Sequence, residues 1–504
     1  MLAKTYSYGI LGIDAHKVCI EVDITRGLPG TTIVGLPDNS IKESRERVRS
    51  AIKNSGYKYP GQKTILNLSP ADTKKEGPSF DLAMALGVLA ASGQISGERL
   101  ADYAIIGELS LDGQLQPVNG TLSIAIAAAK DQYKGIILPT ANAPEGCLVN
   151  NIPVFAMKTL QQAIQFLENP SSHQPFPVKT EFSISEQLYD VDFADVKGQT
   201  YVKRGLEIAA AGGHNALMIG NPGTAKSMLA RRFSTILPEM TREEALETTK
   251  IYSAIGALKN KQGLVTQRPF RSPHHTTSAA AIVGGGTIPR PGEITLSHNG
   301  VLFLDELPEF SRHVLESLRQ PLEDHTVTIA RANKTIQFPC RFILICAMNP
   351  TQHGRLENNP HSYHQMEKYL SRLSGPLLDR IDIHLSVPDL PVKDLFNKQS
   401  SESSMEIKKR TVAARQRQRD RLKNTGISTN AAMNFKLIRK FCALDKNSEL
   451  LLKSAIEDLN LSARAHDKIL KVARTIADLN GCENIQEHHI CEAIQFRNLD
   501  KIRT

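Results

Sequence analysis

The sequence predicts an α/β protein built around a phosphate-binding loop. Three observations lead to this prediction. The apolar run Ala216–Ile219 reads as a strand, the octapeptide GNPGTAKS follows it at once, and a helical pattern begins at Met228. Between residues 191 and 390, helical segments alternate with apolar strand-like segments, which is typical of a parallel sheet covered by helices.

The octapeptide has the residue types of a nucleoside triphosphate site. Its glycines let backbone N–H groups turn toward phosphate oxygens, Lys226 would reach the terminal phosphates, and the Ser227 hydroxyl would take a place on Mg²⁺. The strict pattern GxxxxGK[ST] has glycine before the lysine, whereas this chain has Ala225, and an ordinary Gly/Pro turn is the alternative. The predicted nucleotide-binding residues are Gly220, Asn221, Pro222, Gly223, Thr224, Ala225, Lys226 and Ser227.

Composition narrows the class of protein. The 504 residues carry a formal net charge of +9, which favours an anionic polymer or a nucleotide as partner. The seven cysteines are scattered without a CxxC pair, so neither a disulfide framework nor a zinc site is indicated. We find no secretion signal at the start and no apolar run near the roughly 18 residues that span a bilayer. A cytoplasmic location is therefore predicted.

Local patterns divide the chain into three domains and a linker. Residues 1–168 mix short apolar runs with three helical patterns, which predicts an α+β domain. A Pro- and Ser-rich stretch makes residues 169–190 a linker. Residues 191–390 form the α/β core. Residues 391–504 read as a helical lid, in which Leu461–Leu479 places apolar side chains on one face.

Two further apolar segments end in polar residues suited to phosphoryl transfer. The run Val301–Leu304 leads into Asp305 and Glu306; Asp305 would hold Mg²⁺ or its water, and Glu306 would polarise the attacking water. A second strand, Phe342–Cys346, leads to Asn349, which would position the nucleophile. A strand ending in a polar loop is the common alternative for each, but their order after the phosphate loop favours catalysis.

Two arginines are candidates for contact with the γ-phosphate. Arg380 stands between Asp379 and Asp382 and is predicted to act as an arginine finger in a neighbouring subunit's site. The alternative is an ion pair with one of these acids. Ser462 is predicted to cap a helix that carries Arg464 off its apolar face. Arg464 would reach back to the γ-phosphate, or lie on an ordinary solvated face.

The motifs GNPGTAKS, VLFLDE, AMN, LLDRID and SAR, in this order, resemble those of an AAA+ ATPase. The alanine before Lys226 is similar to the loops of MCM helicases and magnesium chelatase motor subunits. Longer stretches resemble the magnesium-chelatase-like YifB/ComM family over almost the whole chain. They are DFADVKGQ at 192–199, RPFRSPHHTTSAAAIVGGGTIPRPGEI at 268–294, HNGVLFLDELPEF at 298–310 and RLSGPLLDRID at 372–382.

This resemblance implies a hexameric ATPase that uses ATP and Mg²⁺, with the metal held through Ser227 and Asp305. ComM-type members are DNA helicases that drive branch migration in natural transformation and recombination, so single-stranded or branched DNA is the implied partner. The alternative is a chelatase-type motor that applies the same ATP chemistry to a protein partner. The family-specific segments and the N-terminal domain argue against that alternative.

The first domain is similar to the Lon protease domain, which has a fold like domain 2 of ribosomal protein S5. The stretch KEGPS at 75–79 resembles the loop that bears the Lon nucleophile, so Ser79 matches that serine. A Ser-Lys dyad also needs a lysine as general base, and the matching position is Leu122. We therefore expect an assembly or DNA-handling module rather than a peptidase.

Contact with DNA is predicted at a hairpin. Residues 327–338 alternate β-forming residues around Ala332–Lys334, and the resemblance to MCM motors implies that Arg331 and Lys334 grip the phosphate backbone. An exposed hairpin tip is the alternative. The stretch Met405–Lys423 carries eight Lys or Arg at helical spacing; it would line the DNA path or simply form a solvated helix.

A histidine-containing loop follows Asn349. Many family members place paired cysteines there, whereas this chain has His353, with His361 and His364 downstream. Zinc needs about four N or S ligands. No structural metal is predicted.

Overall fold

The computed structural model describes residues 2–72, 74–177, 189–258, 263–286, 289–331, 334–351, 369, 372–390, 401–459 and 462–497. The chain forms two compact units. The first comprises Met1–Ile184 and Arg242–Val265, and the second comprises Ser185–Thr241 and Thr266–Thr504. Of the predicted linker, residues 178–188 lie outside the described residues.

The first unit is built on a mixed seven-stranded sheet of order β3-β4-β2-β1-β5-β8-β9. The pairs β1/β2 and β2/β4 are antiparallel, and the remaining neighbours are parallel. A short hairpin, β6/β7, stands beside it. The strands are β1 Ala3–Leu11, β2 Asp14–Thr25, β3 Gly30–Val34, β4 Lys63–Ser69, β5 Tyr103–Ile105, β6 Glu108–Leu109, β7 Leu115–Gln116, β8 Gly135–Pro139 and β9 Val154–Met157.

Helices of the first unit cover this sheet. The helix Asp81–Ala91 is apolar on every face, and all of its residues are buried. The helix Asn39–Asn54 begins where the Asp38 carboxylate accepts the Ile41 N–H at 2.8 Å. The α-helices of this unit are Asn39–Asn54, Asp81–Ala91, Thr121–Lys130, Ala143–Gly146, Leu160–Glu168 and Arg242–Ala254.

The segment Arg242–Val265 joins the first unit although it follows the phosphate loop in the chain. The Gly120 N–H donates to the Ser253 carbonyl at 3.0 Å, and the Ser253 hydroxyl bonds to the buried Glu145 carboxylate. Burial raises the pKa of Glu145. The sequence division into residues 191–390 did not separate this segment, because its membership depends on partners more than 100 residues away.

The second unit contains a five-stranded parallel sheet of order β11-β14-β17-β10-β18. Two antiparallel hairpins, β12/β13 and β15/β16, accompany it. The strands are β10 Ala216–Gly220, β11 Phe270–Arg271, β12 Gly284–Gly285, β13 Arg290–Pro291, β14 Val301–Leu304, β15 Thr326–Arg331, β16 Lys334–Pro339, β17 Ile343–Met348 and β18 Ile383–Val387. The parallel α/β architecture predicted for this part of the chain is confirmed.

C-terminal helices share one hydrophobic core with this sheet, so residues buried in β18 and in the helix Ala463–Leu479 belong to the same cluster. Ser462 accepts the Ala465 N–H at 3.3 Å, which confirms it as the helix cap. The α-helices of the unit are Thr200–Gly212, Lys226–Phe233, Ala279–Val283, Glu293–Leu296, Arg312–Ser317, Arg319–Asp324, Gly375–Leu378, Ser404–Arg421, Phe435–Phe441, Lys446–Asp458, Ala463–Leu479 and Glu487–Gln495. In the part of the chain that the structure describes, no helix has the length and apolar character needed to cross a bilayer.

Candidate nucleotide site

The strand order brings three predicted segments to one edge of the second sheet. Strand β17 lies between β10, which leads into the phosphate loop, and β14, which leads into Asp305. All three strands are parallel, so their carboxyl ends meet at the same edge. Asn349, directly after β17, therefore lies between the loop and the carboxylates. Ligand sites of open α/β sheets form at this edge.

The loop itself requires two residues with positive φ. Gly223 has φ +84°, and a Cβ built there would meet no atom within 4 Å. Ala225 has φ +68°, in the left-handed region that favours glycine. This explains why the strict pattern has glycine before the lysine. In this chain an alanine adopts that conformation, which strains its backbone.

Lys226 begins the helix that follows the loop and is nearly buried. Its Nζ donates to the Gly220 carbonyl at 2.7 Å, to the Asn221 carbonyl at 2.8 Å and to Asn349 Oδ1 at 3.2 Å. Burial lowers the pKa of this ammonium group, whereas Asp305 and Asp389 raise it. The structure thus brings the predicted lysine and the predicted asparagine into direct contact.

Ser227 contacts the first acid of the β14 segment. Its hydroxyl donates to Asp305 Oδ2 at 2.6 Å, and Asp305 Oδ1 accepts the Glu306 N–H at 3.0 Å. A hydroxyl and a carboxylate oxygen are hard donors of the kind that Mg²⁺ prefers. Ser227 and Asp305 are 78 positions apart in the chain, and the structure brings them into contact as the sequence predicted.

Glu306 is held in a left-handed conformation with φ +52°, and its side chain remains 52% exposed. Its Oε2 lies 3.5 Å from Nδ1 of His275, whose ring packs against His274 at 4.1 Å between centroids. In the sequence, residues 268–294 served only for the family resemblance, and no role was assigned to His275. Its position soon after β11, at the same edge of the sheet, is the signal that would have found it.

Asp389 is a second residue that sequence reasoning missed. It follows β18, and its Oδ2 accepts a hydrogen bond from Asn221 Nδ2 at 2.9 Å. Since β18 pairs with β10 in parallel, its carboxyl end must lie beside the loop. Asp389 thereby fixes the side chain at the second position of the octapeptide.

Arg380 lies at the opposite, amino edge of the same sheet. Its carbonyl accepts a hydrogen bond at 2.9 Å from Asn215, the residue before β10, whereas the loop begins at the other end of that strand. Four residue steps of extended chain separate the two ends by about 13 Å. The guanidinium pairs with Glu323 and donates to the Pro376 carbonyl at 2.7 Å. Glu323 is distant in sequence and was not among the acids considered.

Arg464 lies with Arg380 and not with the loop. Its Nη1 is 3.5 Å from Asp379 Oδ2, and its side chain is 67% exposed. At this edge Arg464 lies away from the loop of its own chain, and its contact with a γ-phosphate stays a prediction. The helix Ala463–Leu479 packs so that its first turn faces the segment before β18, which places both arginines at the amino edge.

Comparison with known proteins identifies the family. Models of magnesium chelatase subunit ChlI match residues 192–395 and 20–142, and a model of the C-terminal part of that subunit matches residues 401–497. The uncharacterized protein YifB of Escherichia coli is 45% identical over 506 residues, which cover 99% of this chain and 98% of YifB. The competence protein ComM of Haemophilus influenzae is 44% identical over 510 residues, again 99% and 98% of the two chains. The chain belongs to the YifB/ComM-type family.

Membership of the YifB/ComM-type family indicates an AAA+-like ATPase domain that uses a nucleotide and Mg²⁺. A more distant match is Lon protease 2 of Bacillus subtilis, 30% identical over 142 residues, or 27% of this chain and 25% of that protein. In the first unit, Ser79 lies in the short turn Pro78–Phe80, and its carbonyl accepts the Gly107 N–H at 2.9 Å. Leu122 is fully buried, and its N–H donates to Glu145 at 2.6 Å. At the position where the resemblance to the Lon domain implied a lysine, this chain has a buried apolar side chain.

The predicted hairpin is present as β15/β16, with Arg331 paired to Lys334 across its end. Buried side chains alternate along it at Val327, Ile329, Ile336 and Phe338. The side chains of residues 331–334 lie outside the described part of the structure.

The basic stretch Met405–Lys423 forms most of the helix Ser404–Arg421, and five of its eight cations bond within the unit. Arg415 is buried and donates to the Ala210 and Ala211 carbonyls at 2.9 and 3.0 Å. The others bind carboxylates or a carbonyl: Lys408 to Glu239, Arg410 to Glu207 and Glu402, Arg417 to the Asp478 carbonyl, and Arg421 to the Asp478 carboxylate. These bonds favour a structural helix over a DNA-lining one.

Of the predicted histidine loop, His353, His361 and His364 all lie outside the described residues. Within the described residues, no three His, Cys, Asp or Glu side chains come together so as to hold a metal ion.

Proposed function

We propose that this chain is an ATP-driven DNA motor that assembles into a hexameric ring and promotes branch migration in natural transformation or recombination. One observation carries the motor: loop and carboxylates lie at one edge of the sheet, and Arg380 and Arg464 at the other. Each protomer therefore presents two incomplete halves of a site. A closed ring of head-to-tail contacts joins every loop to a neighbour's arginines.

The residues present fit ATP with Mg²⁺. Gly223 leaves open space for close approach of a phosphate, and the loop leads into the N-terminus of the helix Lys226–Phe233. Ser227 and Asp305 offer two oxygens 2.6 Å apart for the metal's coordination sphere. When bound, Mg²⁺ would neutralise charge that develops on the phosphate oxygens.

Within this site each side chain has a separate task. Lys226 exchanges the Gly220 and Asn221 carbonyls for phosphate oxygens, since an ammonium group on a flexible stem can reach either. Glu306 orients and polarises the attacking water, and Asn349, at the strand between loop and carboxylates, fixes its direction. Arg380 and Arg464 of the adjacent protomer stabilise the charge of the transferring phosphoryl group.

For DNA as the substrate, the support is chemical and comparative. The chain carries a net charge of +9, and the β15/β16 hairpin places Arg331 and Lys334 at its tip. A relative that matches 99% of the chain is named as a competence protein. Cations at a hairpin tip would bind phosphates without regard to sequence, so affinity should fall steeply with salt.

A direct test uses forked and four-way junction DNA with ATP. Wild-type protein should unwind or migrate these substrates, Glu306→Gln should bind ATP without turnover, and Lys226→Ala should not bind it. Mixing Arg380→Ala with Lys226→Ala protein should restore part of the ATPase activity, because one protomer supplies the loop and the other the arginines. If no mixing ratio restores ATPase activity, Arg380 acts within its own subunit and not in the site of a neighbour.

DNA contact is tested separately with the double variant Arg331→Ala/Lys334→Ala. It should lose DNA affinity and reduce the slope of log K against log salt by about 2, one for each cation. Lys423→Ala, an exposed cation beyond the basic helix, is the matched control. Equal losses in both variants would move the DNA contact away from the hairpin.

A chelatase-type motor acting on a protein partner is the second candidate, favoured by the magnesium chelatase models that match most of the chain. Such a motor would use the same ATP chemistry, but a protein partner rather than DNA would stimulate its ATPase activity. ATPase activity that DNA does not change, together with no binding to branched DNA at low salt, would support this candidate and overturn the DNA motor.

A further inference from the structure

A cluster of buried charges joins the segment Asp379–Asp382 to the C-terminal helices. Lys468, on the helix Ala463–Leu479, has a side chain only 12% exposed. Its Nζ donates to the Ile381 carbonyl at 2.9 Å and lies 3.3 Å from Asp382 Oδ1. Lys468 thus contacts both the backbone and a side chain of the segment that carries Arg380.

Other contacts bind the segment to the same group of helices. Arg497 donates to the Ile381 carbonyl at 2.8 Å, and the His384 N–H donates to the Phe496 carbonyl at 2.8 Å. His214 bridges the two sides, with Nδ1 3.3 Å from Asp382 and Nε2 2.8 Å from the Thr475 hydroxyl. Lys468 combines a charge with two contacts on the segment, one to its backbone and one to its side chain.

The charges of this cluster compensate one another. Burial raises the pKa of Asp382, but Lys468 and the hydrogen bond from His214, with a smaller effect of Lys471, hold that pKa well below its usual range. Burial in turn lowers the pKa of Lys468 to about 8, while Asp382 raises it. A charged pair with so little exposure to solvent depends on its partner groups for stabilisation. Removal of one charge therefore leaves the other buried and uncompensated.

The contacts of Lys468 bear on catalysis because Arg380 lies in the chain between Asp379 and Ile381, within the segment that Lys468 contacts. Arg380 is also held by Glu323, which is 64% exposed, and by the Pro376 carbonyl. The Pro376 contact ties the guanidinium to its own turn, and the Glu323 contact ties it to the helix Arg319–Asp324. They do not fix the turn relative to the helix that carries Arg464, whereas Lys468 does.

We propose that Lys468 is a positioning residue that locks the Arg380 segment to the helix bearing Arg464, so that both arginines enter a neighbouring protomer's nucleotide site as one unit. The inference rests on the proposed function, in which these arginines act between subunits. Misplacement of a reacting group by about 1 Å lowers a rate by about 100-fold. Loss of the lock should therefore lower kcat and leave nucleotide binding in the same protomer unchanged.

The test compares Lys468→Met, Lys468→Arg and a matched surface control, Lys453→Met, on the exposed face of the helix Lys446–Asp458. Methionine keeps the length of the buried stem without the charge. We expect Lys468→Met to lose at least about tenfold in kcat, a part of the roughly 10³ to 10⁵ that an arginine finger supplies. Its affinity for a fluorescent ATP analogue should stay within about twofold of wild type. Lys468→Arg, which keeps the charge, should retain most of kcat, and Lys453→Met all of it.

Mixing separates positioning from a general loss of structure. Lys468→Met protomers have an intact loop and Lys226→Ala protomers have intact arginines, so at equal amounts about a quarter of ring interfaces should be active. Wild-type kcat in a folded Lys468→Met protein, or no rescue on mixing despite normal ring assembly, would overturn the inference. The proposed function would survive either result if Arg380→Ala is rescued, and would fall separately if wild-type protein hydrolyses no ATP.

Discussion

Ser227 donates a 2.6 Å hydrogen bond to Asp305, although the strands that lead to these residues are not neighbours in the sheet. Strand β17 lies between them and ends next to Asn349, which bonds to Lys226 at 3.2 Å. The candidate site is thus already organised around two contacts between a loop side chain and a strand-end side chain.

Replacing Ser227 with alanine should weaken Mg²⁺-dependent nucleotide binding. The substitution removes one of two oxygens available to the metal, and a bond to a charged group is worth about 1.5–3 kcal/mol, so affinity should fall by about tenfold or more. Titration with a fluorescent ATP analogue, with and without EDTA, measures this: EDTA should weaken wild type more than the variant. Ser234→Ala, whose hydroxyl bonds to the Arg231 carbonyl at 3.3 Å, is the control. An equal EDTA effect in wild type and Ser227→Ala would contradict the assignment.

Ala225→Gly should stabilise the second unit. The left-handed conformation strains alanine by about 1–2 kcal/mol. Glycine also increases the conformational entropy of the unfolded chain, which lowers the free energy of unfolding by about 0.4–1 kcal/mol. This loss offsets part of the relieved strain. We expect a net increase of up to about 1.5 kcal/mol in the free energy of unfolding, measured by urea denaturation at unchanged m value. A destabilised variant would mean that the Ala225 methyl group packs more favourably than its backbone is strained.

His489 should make the protein sensitive to mild acid. The ring is buried, Nδ1 accepts the Gln486 N–H at 3.0 Å, and burial lowers the pKa of His489 to about 4. Between that value and the unfolded value of about 6.5, the unfolded chain binds a proton that the folded chain does not. Stability therefore falls as the pH drops through this window. In His489→Asn the difference in unfolding free energy between pH 7 and pH 5 should shrink; an unchanged difference would assign the acid sensitivity elsewhere.

Asp478→Ala should be strongly destabilising. The buried carboxylate accepts hydrogen bonds from Arg421 at 2.7 Å, Arg474 at 3.1 Å and Asn430 at 2.8 Å. Its loss leaves two poorly solvated guanidinium groups without their partner, which costs about 3–5 kcal/mol. Urea midpoints measure the change, and Asp458→Ala on an exposed helix end is the control, expected within about 0.5 kcal/mol of wild type. A small effect for Asp478 would show that the arginines find other acceptors.

Ser79→Ala should leave every activity of the protein unchanged. Leu122 stands where a Ser-Lys dyad would need its lysine, and its surroundings are closed. A serine without a general base is a weak nucleophile. Fluorescent casein incubated with wild type and variant is the measurement; degradation by wild type that the variant abolishes would restore a peptidase role.

Local patterns in the sequence were sufficient to predict the phosphate loop, the two carboxylates after Val301–Leu304 and the asparagine after the next core strand. Each rests on a short apolar run that ends in polar residues, and parallel strands bring such ends to one edge of a sheet. The β15/β16 hairpin and the Ser462 cap followed from similarly local signals. The long antiparallel pair β1/β2 was not singled out, since its alternation is mixed with polar residues on the more open face.

Sequence by itself determined that this chain has a nucleotide loop, its acids and its family, because these are written in contiguous residues. Tertiary structure alone decided which partner each charge has. It paired Arg380 with Glu323 and brought Arg464 to Asp379, at the edge of the sheet opposite the loop. It also bonded five of the eight cations of the basic stretch within the second unit and placed Arg242–Val265 in the first unit. The physical reason is that a charge pairs with whichever group packing brings near, and packing is set by segments distant in the chain.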